Sequence, residues 1–242
     1  MNTHTIPPAR KAFFLRILVS CLFALAAIPS AKAGEIFSSD FSKGTFAALG
    51  WEAKGDWSIA DFGADKPDLA KNPGPVAKFA ANGQTVGTLT KKFDTITNPT
   101  SLKLTFDAGY GWGAATHSQV LQVMLVDADG NGYIFDIHRA NATWGAQWAV
   151  VTKYGYNDPM TWAPDAVDTT QASVMDGAGL RTFTITRDAS SKWTFNGAGW
   201  TGGPVTFTDT TTKVFSQVVL RGIPNTDDLA FGKVKLEAEV AK

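Results

Sequence analysis

The sequence predicts an all-β protein built as an antiparallel two-sheet β-sandwich. Three observations lead there. About a dozen short apolar runs are punctuated by turn residues at spacings of roughly 8–12 positions. No stretch sustains a helical period, and no repeat of 20–50 residues is present. The third observation is Gln119 to Arg139, QVLQVMLVDADGNGYIFDIHR. There, two runs rich in Val, Ile, Leu, Tyr and Phe flank Asp127-Ala128-Asp129-Gly130-Asn131-Gly132, turn residues that accept positive φ at little steric cost, so the segment reads as a β-hairpin. Val120 to Val126 and Tyr133 to Ile137 are apolar at nearly every position. Neither face of this hairpin is therefore simply solvated. Both are covered, or one lies in the core and the other lines a groove.

The remaining elements follow in order. Phe37 to Phe41 alternates apolar and polar as a half-buried first strand does, and Trp57 to Ala60 is a second strand. Asp65 to Pro75 holds three prolines and reads as a surface loop. Val76 to Ala80 and Val86 to Phe93 are short strands around Asn82-Gly83. In Ser101 to Asp107, Leu102, Leu104 and Phe106 point one way and Lys103, Thr105 and Asp107 the other. A glycine-rich loop, Ala108 to His117, carries Tyr110 and Trp112. After the hairpin come a strand over Trp148 to Tyr154 and a long connection, Gly155 to Gly179. Arg181 to Arg187 alternates with Phe183 and Ile185 inward. Asp188 to Ser191 turns into Lys192 to Phe195, and Val214 to Arg221 and Leu229 to Glu237 close the domain.

The first thirty-three residues are expected to lie outside this fold. Arg10, Lys11 and Arg16 form a basic start, Ile17 to Ile28 is almost wholly apolar, and Ala31-Lys32-Ala33 has the small-x-small pattern of a signal-peptidase site. That apolar run is shorter than the ~20 residues of a comfortable membrane span. Leu18-Val19-Ser20-Cys21 resembles a lipoprotein box, but Arg16 precedes it and an apolar run follows, so a plain secretory signal (residues 1–33) fits better. Cleavage after Ala33 leaves one domain, residues 34–242, that is secreted or periplasmic. It contains no cysteine and carries 18 basic against 22 acidic residues. Stability must then come from the core or a bound ion, and the mildly acidic balance argues against nucleic acid or an anionic membrane as main partner. No further apolar segment of spanning length follows, so no membrane insertion is expected after cleavage.

Asp40-Phe41-Ser42, Asp127 to Tyr133, Arg181 to Asp188, Val219 to Gly222 and Asp227 to Phe231 together make an order of motifs. That order resembles secreted bacterial proteins of the concanavalin A-like lectin/glucanase superfamily, with a LamG-like jelly roll. The resemblance implies a jelly-roll sandwich. It leaves function open, because the fold hosts lectins, glycosidases, lyases and modules without a known ligand.

Two groups of residues invite a metal. Asp127-x-Asp129-x-Asn131-Gly132 matches the first half of an EF-hand-type calcium loop, but His138 stands where a bidentate Glu belongs, and a hairpin turn explains the same residues. In jelly rolls of this resemblance the first and last strands are often neighbours, and a structural calcium can sit between them. A structural Ca2+ held by Asp40, Asp227 and Asp228 would pin them, whereas Asp227-Asp228 also reads as a turn after Pro224-Asn225.

Catalytic signals are sparse. The mature chain has only Glu35, Glu52, Glu237 and Glu239, and no Glu-x-Asp-x-(x)-Glu strand that would set two carboxylates on one face. Asp107 and Asp136 are the best-placed acid/base candidates. Asp136-Ile137-His138 with Lys153-Tyr154-Gly155-Tyr156 is a partial match to a jelly-roll polysaccharide lyase, lacking its Gln and its Arg-bearing segment. Glycan binding fits the residue types better, since sugars pair apolar CH faces with many hydroxyls. The expected site has Tyr110, Trp112, Trp144, Trp148 and Tyr156 as stacking platforms, with Asp107, His138, Arg139 and Gln147 as polar partners. The expected function is non-catalytic binding of a polysaccharide or glycoconjugate. The alternatives are a glycan-cleaving enzyme using Asp136 or His138 with Tyr154, and a structural envelope or matrix protein without a small ligand.

Overall fold

The Gln119–Arg139 hairpin forms as its sequence requires. Its two strands, β7 (Gln119–Val126) and β8 (Gly132–Arg139), pair antiparallel with Val126 opposite Gly132. Asp127 closes the turn. Its Oδ1 accepts from the amides of Asp129 and Asn131 at 2.9 and 2.8 Å, and Gly130 supplies the positive φ of 84°. In the described residues this carboxylate thus serves the turn's own N–H groups.

The computed structural model describes residues 33–61, 74–79, 86–110, 119–139, 147–154, 165–168, 179–198, 203–211, 214–222 and 229–240. At 110, 119–121, 137–139, 147–154, 165–168 and 179 it describes backbone only. The fold occupies one unit, Lys32–Lys242. Its described strands make two antiparallel sheets. One runs β13 (Val205–Thr208), β12 (Lys192–Gly197), β11 (Gly179–Arg187), β6 (Pro99–Tyr110), β15 (Leu229–Val240), β4 (Pro75–Phe79), β3 (Trp57–Asp61), with β1 (Gly34–Asp40) also paired to β15. The other runs β10 (Asp165–Asp168), β9 (Gln147–Tyr154), β8, β7, β14 (Val214–Gly222), β5 (Gly87–Thr97), β2 (Trp51–Lys54). This is an antiparallel jelly-roll sandwich of two sheets. Among the described residues no helix is long and apolar enough to cross a membrane.

The core lies between the sheets and is dominated by aromatics. Phe106 and Phe183 stack at 5.3 Å, and Trp193 contacts Tyr133 at 4.7 Å and Phe207 at 5.9 Å. Each such buried ring contributes on the order of 2 kcal/mol by removal of apolar area from water. The inward sets anticipated for β6 and β11 are the buried ones: Leu102, Leu104, Phe106, Phe183 and Ile185. Trp51, also buried, donates its indole N–H to Ser39 Oγ at 3.0 Å and so ties β2 to β1 across the core.

Several boundaries differ from expectation. Phe41 leaves the first strand and opens a short 3-10 turn, because the Asp40 carboxylate accepts from the Ser42 amide and caps it. Tyr110 ends β6 instead of lying in the glycine-rich loop, its backbone paired with Gly179 and Leu229. Strands β2, β10 and β13 were not foreseen. They have four residues each and exist through pairing with β5, β9 and β12, an arrangement too short to imprint a period on the sequence.

Candidate functional site

In β7, Val123 and Leu125 enter the core, so alternation sends Gln122, Met124 and Val126 to the outer face of the seven-stranded sheet. In β8, Tyr133 and Phe135 point in, and Ile134 and Asp136 point out. The backbone register then aligns residues into rows across the strands. Lys54, Thr88, Arg221, Gln122, Asp136 and Val150 form one row. Beside it runs Glu52, Thr90, Val219, Met124, Ile134 and Thr152. A polar row thus lies against a row whose centre is apolar.

This outer face is not a solvated surface. Met124, Val126 and Ile134 form a satellite apolar cluster with Val219, and Gln122, Asp136 and Arg221 are respectively 4, 2 and 6 % exposed. One face of the central hairpin is core and the other lines a groove of about 410 Å³. Arg221, Thr88 and Lys54 border the groove at one end, Lys92 and Gln217 at the other, with Met124, Val126 and Val219 between them. Gln217 is oriented by donating its amide to the Asp127 carbonyl at 2.9 Å. Buried Gln122 Oε1 has no hydrogen-bond partner among the described residues, a condition that buried amide oxygens rarely tolerate.

The structure places the anticipated site residues unevenly. His138 is registered opposite Trp148, and Arg139 opposite Gln147, on the two strands adjoining this face. His138 and Trp148 share the strand parity of Asp136 and Val150. Asp107 is elsewhere. It lies on β6 in the eight-stranded sheet, faces away from the core, and accepts a hydrogen bond from Thr182 Oγ1 at 2.7 Å. It therefore cannot act as acid/base partner to Asp136. Tyr110 is described by its backbone alone, and Trp112, Trp144 and Tyr156 lie outside the described residues.

Asp227 and Asp228 also lie outside the described residues. The strand neighbourhood expected for the ion is present, because β1 pairs with β15. Asp40 accepts from Ser42 Oγ at 2.6 Å and stands 3.7 Å from the Lys43 ammonium and 3.9 Å from that of Lys233. The Ser42 hydrogen bonds, with the two lysines assisting, hold its carboxyl below the usual carboxylate range. Among the described residues no group of three acidic, His or Cys side chains could hold a metal.

The groove residues Thr88, Thr90 and Lys92 carry no motif in the sequence, and Arg221 lies in Val219 to Gly222, where nothing marks it as a site residue. The signal available was parity: Val-Leu-Arg-Gly places Arg221 out of phase with inward Leu220.

No family model matches this chain, and no curated protein resembles it by sequence. Solved structures do resemble its fold. The CBM2 module of the evolved Dit of Lactobacillus casei BL23 phage J-1 superposes with a TM-score of 0.58 at 14 % identity, covering 87 % of this chain and 98 % of the module. The Emp47p carbohydrate recognition domain gives 0.56 at 12 % identity, covering 87 and 99 %. The exoplasmic/lumenal domain of VIP36, bound to Ca2+ and Man2, gives 0.55 at 9 % identity, covering 85 and 88 %. At these identities the likeness is one of fold: an antiparallel jelly-roll sandwich, shared with domains that include a carbohydrate recognition domain.

Proposed function

We propose that this chain is a secreted or periplasmic, non-catalytic carbohydrate-binding module, made by removal of a signal peptide after Ala33, that recognises a polysaccharide or glycoconjugate. The observation that carries the reading is the groove on the outer face of the seven-stranded sheet. Met124, Val126 and Val219 offer the apolar contact that a pyranose CH face needs, and Thr88, Thr90, Gln217 and Arg221 offer hydroxyl, amide and guanidinium partners beside it. His138 and Trp148 extend that face by register. Carbohydrate recognition by structural neighbours such as Emp47p supports the same reading. Affinity electrophoresis of the purified protein against a panel of soluble polysaccharides tests it: retardation by at least one glycan is expected, and unchanged mobility on every gel removes the proposal.

A second reading, cleavage of the glycan, is favoured by the buried Asp136 with His138 two residues along on the same strand. Release of reducing ends or unsaturated products, lost in His138→Ala, would replace binding by catalysis. The proposed structural calcium rests on Asp40 with Asp227 and Asp228, and an ion there has to displace two ammonium groups. Thermal unfolding in calcium against EDTA decides it, since an ion bound only by the folded state raises the midpoint.

A further inference from the structure

The groove's polar end has a composition that a neutral sugar does not need. Lys54 is registered opposite Thr88 and Thr88 opposite Arg221, and all three line the groove. Neighbouring strands lie about 4.8 Å apart, so the two cationic residues stand roughly 10 Å apart with a hydroxyl between them. Both side chains are long enough to converge over Thr88. Arg221 is 6 % exposed, so its guanidinium acts where water screens it weakly. Five N–H donors on one fork let it serve an anion as well as its other contacts. Lys54 pairs with Glu52 at 3.3 Å, with both side chains largely exposed, and such a pair is worth little and gives way readily.

Glu52 and Asp129 also line the groove, beside the cations Lys54, Lys92 and Arg221. Glu52 pairs with Lys54, Asp136 lies beyond Gln122, and Asp129 sits in the hairpin turn beyond Val126.

We propose that the groove takes a carboxylated sugar, a uronate unit of an acidic polysaccharide. Its carboxylate sits over Thr88 between Arg221 and Lys54, and its CH face rests on Met124 and Val219. The inference rests on the glycan-binding reading above and specifies its ligand class.

The test measures binding by the full protein to polygalacturonate, alginate and hyaluronate, each beside its carboxyl-reduced neutral form, with neutral glucans and mannans in parallel. At least one polyuronate is expected to bind, and its carboxyl-reduced form to bind roughly tenfold more weakly or less. Added salt weakens the interaction, and Lys54→Glu lowers it about as much as carboxyl reduction. Arg221→Gln should abolish it, and the exposed Lys54 variant covers the case in which the buried change unfolds the protein. Equal binding of a polyuronate and its neutral form overturns the proposal, as does affinity unmoved by Lys54→Glu. Binding of neutral glycans alone overturns the uronate assignment and leaves the carbohydrate-binding reading standing. Failure of every glycan sinks both.

Discussion

Tyr133 on β8 donates its hydroxyl to Asp209 Oδ2 at 2.9 Å, linking the central hairpin to the segment just after β13. The two residues are 76 positions apart, and both are buried in the sandwich. The same carboxylate accepts from the amide and hydroxyl of Thr211 at 2.6 Å. Asp209 is therefore a buried acceptor fed from two parts of the chain.

Removing one donor leaves that carboxylate undersupplied while the ring stays packed. Tyr133→Phe should destabilise the protein by about 1.5–3 kcal/mol, the range for a hydrogen bond to a charged group. Urea unfolding measures it. A change under about 0.5 kcal/mol would mean that water replaces the hydroxyl.

Gly87 and Gly222 sit directly opposite each other on β5 and β14, facing the ring of Phe79 from the other sheet. A Cβ at Gly87 would lie 2.2 Å from Phe79 Cε2, and one at Gly222 would lie 2.3 Å from Phe79 Cδ1. Gly222→Ala should cost roughly 1–3 kcal/mol through overpacking. Combined with Phe79→Leu, its cost should fall, with a coupling above about 0.5 kcal/mol in a double-mutant cycle. Strict additivity would show that the ring is not what excludes the methyl.

Ser191 holds φ at 64° in the β11–β12 turn, and its Oγ accepts from the buried Arg187 Nη2 at 2.7 Å. Ser191→Ala keeps the backbone strain and loses the bond, for an expected loss of about 1–3 kcal/mol. Ser191→Gly loses the same bond but relieves the left-handed backbone, so it should be the less harmful by about 1 kcal/mol. Thermal unfolding ranks the two variants, and the reverse order would place the constraint elsewhere.

Asp188 closes that turn as Asp127 closes the hairpin, accepting from Ser190 Oγ at 2.6 Å and from the amides of Ser190 and Lys192. The Ser190 hydroxyl, then the backbone donors, lower its pKa in the folded state. A carboxyl whose folded pKa lies below its unfolded one stabilises the fold at and above the unfolded value. That stabilisation disappears as pH falls through the folded value. The stability difference between the wild type and Asp188→Asn should thus be full at neutral pH and shrink through the acid range below pH ~4. A difference constant with pH would mean that the carboxylate's charge plays no part.

The sequence alone determined the sandwich, the central hairpin and most inward faces, because these depend on local chemistry. Alternation in Leu102 to Phe106 and Phe183 to Ile185 reports which side chains are buried, and Asp127 to Gly132 needs only its own amides to turn. It also indicated that neither side of this hairpin is simply solvated, while the structure decided that one side is core and the other lines a groove. Only the tertiary structure decided which polar residues meet. Asp107 and Asp136 looked equivalent on their strands but belong to different sheets. Lys54, Thr88, Arg221 and Gln122 are scattered over four strands and share one row because β14 inserts between β5 and β7. A strand's own residues specify its faces, while its neighbours are chosen by long-range pairing that no local period records.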